Sequence, residues 1–245
     1  MSMKHVPCFR ASELLEAIPM QDTHIHTRFS DGRNSYQEYI DRAYDLGLET
    51  IAFTEHADDT SPWFPEYVET LRRAHDEHAG KLRVCVSAEV KAAEHDGTPN
   101  MSLARMAHVD YLVGVIHRYP MGGDKWHEFD ELSAEQALDL DYEISKGLAS
   151  HPDVDVLGHP GGVYAHYYGS YDESRMRNIV DVANQNGTVI EINSHERYQR
   201  HFKMILDRCF ELDALITLGS DAHGAEELGD VITATREWVE ARPSR

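Results

Sequence analysis

Cysteine is scarce: Cys8, Cys85 and Cys209 are the only three in 245 residues. They are scattered and form no C-x-x-C pair, so neither a disulfide framework nor a thiolate metal site is indicated. Cys85 lies in an apolar run and is expected to be a small core residue. Long apolar runs are missing as well. No stretch approaches the roughly 18 residues that suggest a membrane span, and residues 1–10 lack the apolar core of a signal peptide. A cytoplasmic location is the expectation. Basic residues are outnumbered, 23 Lys and Arg against 43 Asp and Glu, for a formal net charge of −20. Such a surface repels phosphate backbones and anionic lipid, so neither nucleic acid nor a membrane is an expected partner. Bound divalent cations would offset a few of these charges; most belong to a solvated surface.

What is present is an alternation of strand-like and helix-like segments. Apolar runs at 22–26, 50–56, 82–90, 111–117, 154–159, 188–193 and 215–221 read as seven short strands. Helix-length segments lie between them, at 35–46, 65–78, 133–149, 172–186 and 198–212. In the first, Tyr36, Tyr39, Ile40 and Ala43 keep helical spacing, and Gly47 supplies a C-cap. Gly147 and Gly187 are expected to mark helix ends or late breaks. No linker or low-complexity segment divides the chain, so 1–245 is expected to be one domain. Strands alternating with helices predict an α/β fold with a parallel sheet covered by helices. Closure into a barrel is inferred from the strand count and from where the polar residues fall. An open doubly wound sheet is the alternative.

Each strand ends in groups that bind metals. In order these are His24-Ile25-His26 followed by Asp31, Glu55-His56, Glu89 with Lys91 two places on, and His117-Arg118. Then come His159-Pro160, Glu191 with Asn193, and Asp221-Ala222-His223. Sites in parallel α/β folds are built at the C-terminal edge of the strands. Period-two alternation puts His24 and His26 on one face, and likewise Glu191 and Asn193. A single histidine at a strand end is usually a hydrogen-bonded structural residue. Six of them, at one edge of five different strands, point to metal. The other ten of the 16 histidines, such as His5, His75, His78 and His151, are expected to be solvated.

Taken in order, His24-Ile25-His26-Thr27, Ser30-Asp31-Gly32, Phe53-Thr54-Glu55-His56, Gly158-His159-Pro160 and Gly219-Ser220-Asp221-Ala222-His223 resemble the polymerase and histidinol phosphatase (PHP) superfamily. The resemblance runs from Asp22 to His223 and keeps the family's order. It implies a distorted seven-stranded (β/α) barrel, like a TIM barrel, with up to three zinc, manganese or iron ions. It assigns the first ion to His24, His26, Glu89 and Asp221. The second falls to Glu89, His117 and His159, and the third to Asp31, His56 and His223. Asp31 stands where many members have histidine, and a harder carboxylate shifts preference towards manganese or iron.

Two ions bridged by one carboxylate lie roughly 3.5–4 Å apart and make a hydroxide of a water held between them. They also neutralise charge on a phosphoryl oxygen, which suits hydrolysis of a phosphate ester. A small phosphomonoester is therefore the expected substrate. The Phe53–His56 motif resembles the histidinol phosphatase branch, which puts L-histidinol phosphate first. Glu89 and Asp221 are the expected catalytic carboxylates. Arg118, Arg197 and Lys91 are candidates to bind phosphate, with Arg33 a weaker one, and His195 to protonate the leaving oxygen. The loops 120–130 and 161–170 can close over a small ligand. Alternatives are a nucleotide phosphoesterase of the same superfamily, an amidohydrolase-type C–N hydrolase using Lys91 as a bridging group, and a non-enzymatic metal-binding protein.

Overall fold

The computed structural model describes residues 6–122, 125–195 and 198–242. A two-residue strand β1 (Phe9–Arg10) and a short 3-10 turn lead into β2 (Gln21–Ile25). Then follow α1 (Tyr36–Leu46), β3 (Thr50–His56), α2 (Phe64–His78), β4 (Arg83–Lys91), α3 (Leu103–Met106) and β5 (Tyr111–Val115). The second half holds α4 (Ala134–Ser150), β6 (Val156–Leu157), α5 (Gly162–Tyr167), α6 (Glu173–Asn186), β7 (Val189–Asn193), α7 (Gln199–Leu212), β8 (Leu215–Gly219) and α8 (Asp230–Glu240). No helix among the described residues is long and apolar enough to cross a membrane.

The eight strands form one sheet in the order β1-β8-β7-β6-β5-β4-β3-β2. Neighbours from β2 to β8 pair in parallel, and β1 pairs with β8 antiparallel. The sheet curls until β2 meets the segment after β8. There Ile25 bridges Ala222, His26 N–H donates to the Ala222 carbonyl at 2.9 Å, and Ala222 N–H donates to the His24 carbonyl at 3.2 Å. The seven expected strands all occur, and β1 is an eighth, too short to show any periodicity. Several expected strands stop early, among them β8, expected to reach 221 but ending at Gly219. β5 ends at Val115, so His117 and Arg118 lie in the following loop, and β6 is only Val156–Leu157. Beyond β6 the chain turns sharply, with His159 at a positive φ of 23°.

Local sequence explains the helices. Ser35 caps α1 by accepting from Glu38 N–H, and the Glu38 carboxylate accepts in return from Ser35 N–H. Gly47 ends the helix in the left-handed region at φ 68°. The expected apolar positions Tyr39, Ile40 and Ala43 are buried. Gly147 does not break its helix, which runs on to Ser150. One face of β3–β7 contributes Ala52, Cys85, Tyr111, Val113, Val115, Val156 and Val189 to a compact apolar cluster. A larger core fills the space between strands and helices. Cys85 is buried as expected, and so is Cys209. His201 corrects the expectation of solvated helix histidines. It is 2% exposed, and its Nε2 accepts from Tyr171 N–H at 3.2 Å.

Beneath the loops that follow β5 and β6, α4 buries Asp141 completely. Its carboxylate accepts from Tyr119 Oη at 3.1 Å and Ser145 Oγ at 3.4 Å. Burial nevertheless pushes Asp141 up to about 6. A carboxyl whose pKa is raised by folding stabilises the fold while protonated, and that contribution fades as pH rises through about 4 to 6. Asp141→Asn should therefore gain stability relative to the parent protein between pH 4 and pH 7, by on the order of 1–3 kcal/mol. Urea unfolding of both proteins at the two pH values checks this; a difference independent of pH would refute it.

Candidate metal centre

Glu89, two residues before the end of β4, sits at the middle of the site and is 2% exposed. Its Oε1 is 2.8 Å from His159 Nε2, 3.3 Å from His117 Nε2 and 3.4 Å from His24 Nε2. Its Oε2 meets His56 Nδ1 and lies 3.7 Å from His26 Nε2. Asp221 Oδ1 is 3.1 Å from His26 Nε2 and 3.5 Å from His24 Nε2. Asp31 completes a third group, 3.3 Å from His56 Nε2 and 3.5 Å from His223 Nε2. All nine expected ligand residues are thus brought together from six segments of chain.

Three sets offer ligand atoms mutually within 4.8 Å: His24, His26 and Asp221; His56, Glu89 and His117; and His26, Asp31, His56 and His223. The sharing differs from the one-ion-per-histidine expectation, because His26 and His56 each face two sets. The donors are mixed imidazole and carboxylate, which suits zinc, manganese or iron. Two observations support a fit to cations. Among the described residues, no Lys or Arg forms an ion pair with the buried carboxylates Glu89, Asp221 or Glu191. His26 Nδ1 is buried without a hydrogen-bond partner, and its acidic neighbour Asp31 Oδ1 is 4.0 Å away.

The electrostatics follow from that crowding. Burial opposes charge on His24, yet Glu191, Asp221 and Glu89 hold it well above the usual imidazole range. Burial likewise opposes charge on His56, and Glu89 and Asp31 raise it to about 11. His159 and His223 are raised too, against burial, by Glu89 and Asp31 respectively. His26 goes the other way, lowered to about 4 chiefly by burial. Burial works against charge on Glu89 as well, but His117, His56 and His24 hold it well below its ordinary value.

A second layer holds these groups in place. His24 Nδ1 donates to Glu191 Oε1 at 2.5 Å, which leaves Nε2 free to face Glu89 and Asp221. Glu191 Oε2 accepts from His159 N–H at 2.8 Å and Asn193 Nδ2 at 3.2 Å. Asp22 accepts from Ser220 N–H at 2.9 Å and Gly229 N–H at 2.8 Å, fixing both sides of the Asp221–His223 turn. Glu227 accepts from His223 N–H at 2.7 Å. His159 and Asp221 have positive φ, 23° and 57°, local strain of a kind concentrated at functional sites. Glu191 was visible in the sequence as a polar residue on the sixth strand but was not assigned to the site. Its signal was the Glu191-x-Asn193 spacing on one strand face.

The candidate substrate residues are dispersed. Lys91 Nζ lies over the Trp126 ring, 4.5 Å from its centroid. Arg118 is half-exposed and 3.6 Å from exposed Glu128. Arg33 is engaged by Glu226 and, at 2.9 Å, by Glu227. The His195 ring is 6.2 Å from that of His223, and the His195 backbone N–H donates to Asn193 Oδ1 at 2.9 Å. Arg197 lies outside the described residues. Tyr198, unforeseen, stacks on His159 at 4.5 Å. The two loops expected to cover a ligand touch each other: Phe129 stacks on Tyr167 at 3.7 Å, and Tyr168 Oη donates to the Phe129 carbonyl at 2.6 Å.

The PHP domain description matches residues 22–195, most of the chain and seven of the nine clustered residues. The chain belongs to the PHP domain family. Among its relatives, a probable histidinol-phosphatase of Clostridium acetobutylicum is 27% identical over 231 residues, covering 85% of this chain and 88% of that one. A probable phosphatase of Vibrio cholerae is 27% identical over 226 residues, covering 88% and 82%. The fold resembles the histidinol phosphate phosphatase of Lactococcus lactis, solved with zinc, L-histidinol and phosphate. The TM-score is 0.69 at 19% identity, over 90% of this chain and 92% of that one.

Two outcomes are expected of this PHP site. Glu191→Gln removes the carboxylate that orients His24 and should weaken zinc binding about 10–100-fold, read by competition with a chromophoric chelator; unchanged affinity would count against a supporting role. Metal entry should displace protons from imidazoles whose charged form the neighbouring carboxylates favour, such as His24 and His56. Zinc added to metal-free protein at pH 7 in weak buffer should acidify the solution, and apparent affinity should fall as pH is lowered. An indicator dye showing no proton release would contradict this.

Proposed function

We propose that this chain is a metal-dependent phosphatase that hydrolyses a small phosphomonoester, with L-histidinol phosphate as the first substrate to test. The observation that carries the reading is the convergence of five imidazoles on one buried carboxylate, Glu89, with Asp31, Asp221 and His223 gathered around those imidazoles. Family membership and relatives named as phosphatases and histidinol phosphatases support it. We read the chain as one PHP-type domain, a distorted barrel whose seven parallel strands carry the site at their C-terminal edge.

Two to three zinc, manganese or iron ions fit the donor set. His24, His26, Glu89 and Asp221 would hold the first. Glu89, His117 and His159 would hold the second, and Asp31, His56 and His223 the third. Bound there, such ions supply Lewis acidity that lowers the pKa of water and neutralises charge on a phosphoryl oxygen. The chain's own residues do the rest. Glu191 and Asp22 keep His24 and the Asp221 turn in place before substrate arrives, so little reorganisation is needed during reaction. Lys91, Arg118 and Arg197 are assigned to the phosphate. The contact of Arg118 with Glu128 is long and exposed, so little holds the guanidinium away from an incoming anion. His195, beside His223, is assigned to protonate the leaving oxygen. The Lys91 ammonium stands over Trp126, and Glu89 occupies the centre, so the amidohydrolase arrangement finds no support.

A screen of small phosphate esters against zinc, manganese and iron forms tests the proposal. Glu89→Gln should lower the rate by at least about 10²–10³-fold. Full activity in that variant would sink the phosphatase reading. Turnover of other esters but not L-histidinol phosphate would remove only the substrate assignment.

A further inference from the structure

Glu55 precedes the clustered His56 on β3 and, by strand alternation, points to the opposite face. Its side chain is completely buried, and no Lys or Arg pairs with it among the described residues. Leaving a carboxylate there costs several kcal/mol unless donors compensate. The donors all come from one turn. Thr27 N–H donates to Oε1 at 2.8 Å, and Ser30 N–H donates to Oε2 at 3.2 Å. The Ser30 hydroxyl also donates to Oε2. That turn is otherwise built for compactness. Gly32 N–H donates to the Thr27 carbonyl at 2.9 Å, and a Cβ on Gly32 would lie 2.1 Å from the His26 carbonyl oxygen.

The next residue after the clamped turn is Asp31. It lies six residues beyond the end of β2 at Ile25, further from its strand than any other member of the cluster. Its side chain is 53% exposed, so packing does little to hold it. Yet it supplies the carboxylate of the group it forms with His26, His56 and His223.

We infer that Glu55 is a positioning residue whose grip on Thr27 and Ser30 presents Asp31 and thereby sets whether the Asp31–His56–His223 position holds an ion. The inference rests on the metal-dependent reading above. It makes the occupancy of one position depend on a side chain that touches none of its ligand atoms.

The test is zinc titration of the full metal-free chain by calorimetry and chelator competition. Glu55→Gln keeps the size but replaces one accepting oxygen by an amide that cannot accept. The weakest of three zinc ions should lose about 10–100-fold in affinity, with the other two little changed. Asp31→Ala should lose the same ion, and the double variant should bind no more weakly than Asp31→Ala alone, because both changes act on one position. Ser30→Ala removes one of the three donors, together with the 3.3 Å contact of that hydroxyl to Asp31 Oδ1, and should weaken the same ion and no other, which keeps the test usable if Glu55→Gln does not fold. Wild-type affinity for all three ions in Glu55→Gln would overturn the inference. So would a parallel weakening of every ion, additive losses in the double variant, or fewer than three ions in the parent protein. A parent protein that binds no zinc at all overturns the phosphatase reading itself, a separate result.

Discussion

Everything in this site answers to one constraint: Glu89 is a carboxylate buried at the centre of a curled sheet, and no Lys or Arg among the described residues forms an ion pair with it. Burying an unpaired charge costs several kcal/mol. The fold offsets that cost with five imidazoles from four segments of chain, and these in turn are crowded by Asp221 and Glu191. The arrangement holds more acceptors than the protein alone can satisfy. His26 Nδ1 remains buried without a partner, and cations complete such a set better than protons do.

Different parts of the fold meet that constraint in different ways. Glu89 stands on a strand paired on both sides, and β2 delivers His24 at the line of closure. Asp31, His223 and His117 stand on loops, where position depends on local clamps. Acids supply such clamps: buried Asp22 for the Asp221–His223 turn, partly exposed Glu227 for His223, and buried Glu55 for the turn before Asp31. Each accepts backbone N–H groups, so each fixes the path of the chain rather than one side chain. The positive φ values of His159 and Asp221 mark places where the chain leaves the sheet abruptly to aim a ligand inward.

The strand-and-helix alternation was legible because parallel strands covered on both faces read as apolar runs, and Gly47 announces a helix end in local chemistry. The nine clustered residues were legible for a related reason. One polar residue at a strand end reads as structural, but many gathered at one edge of several apolar strands stand out. Less could be read where the signal is short or long-range. β1 has two residues and no period. Glu191 shows the right spacing, but only the sheet neighbours show that it meets His24. His201 looks like a surface helix histidine until Tyr171 is seen to donate to it.

The sequence by itself singled out the polar residues that cluster in the fold, since period two assigns a face and strand ends assign an edge. Tertiary structure decided which of them share a centre. Curling the sheet brings β2 against the segment after β8, although they are about 200 residues apart in the chain. That closure joins His24 and His26 to Asp221 and sets Glu89 among them. It also sorts Glu55 from His56, adjacent residues that alternation sends to opposite faces of one strand. One lies in the cluster, and the other lies behind it, holding the turn that leads to Asp31.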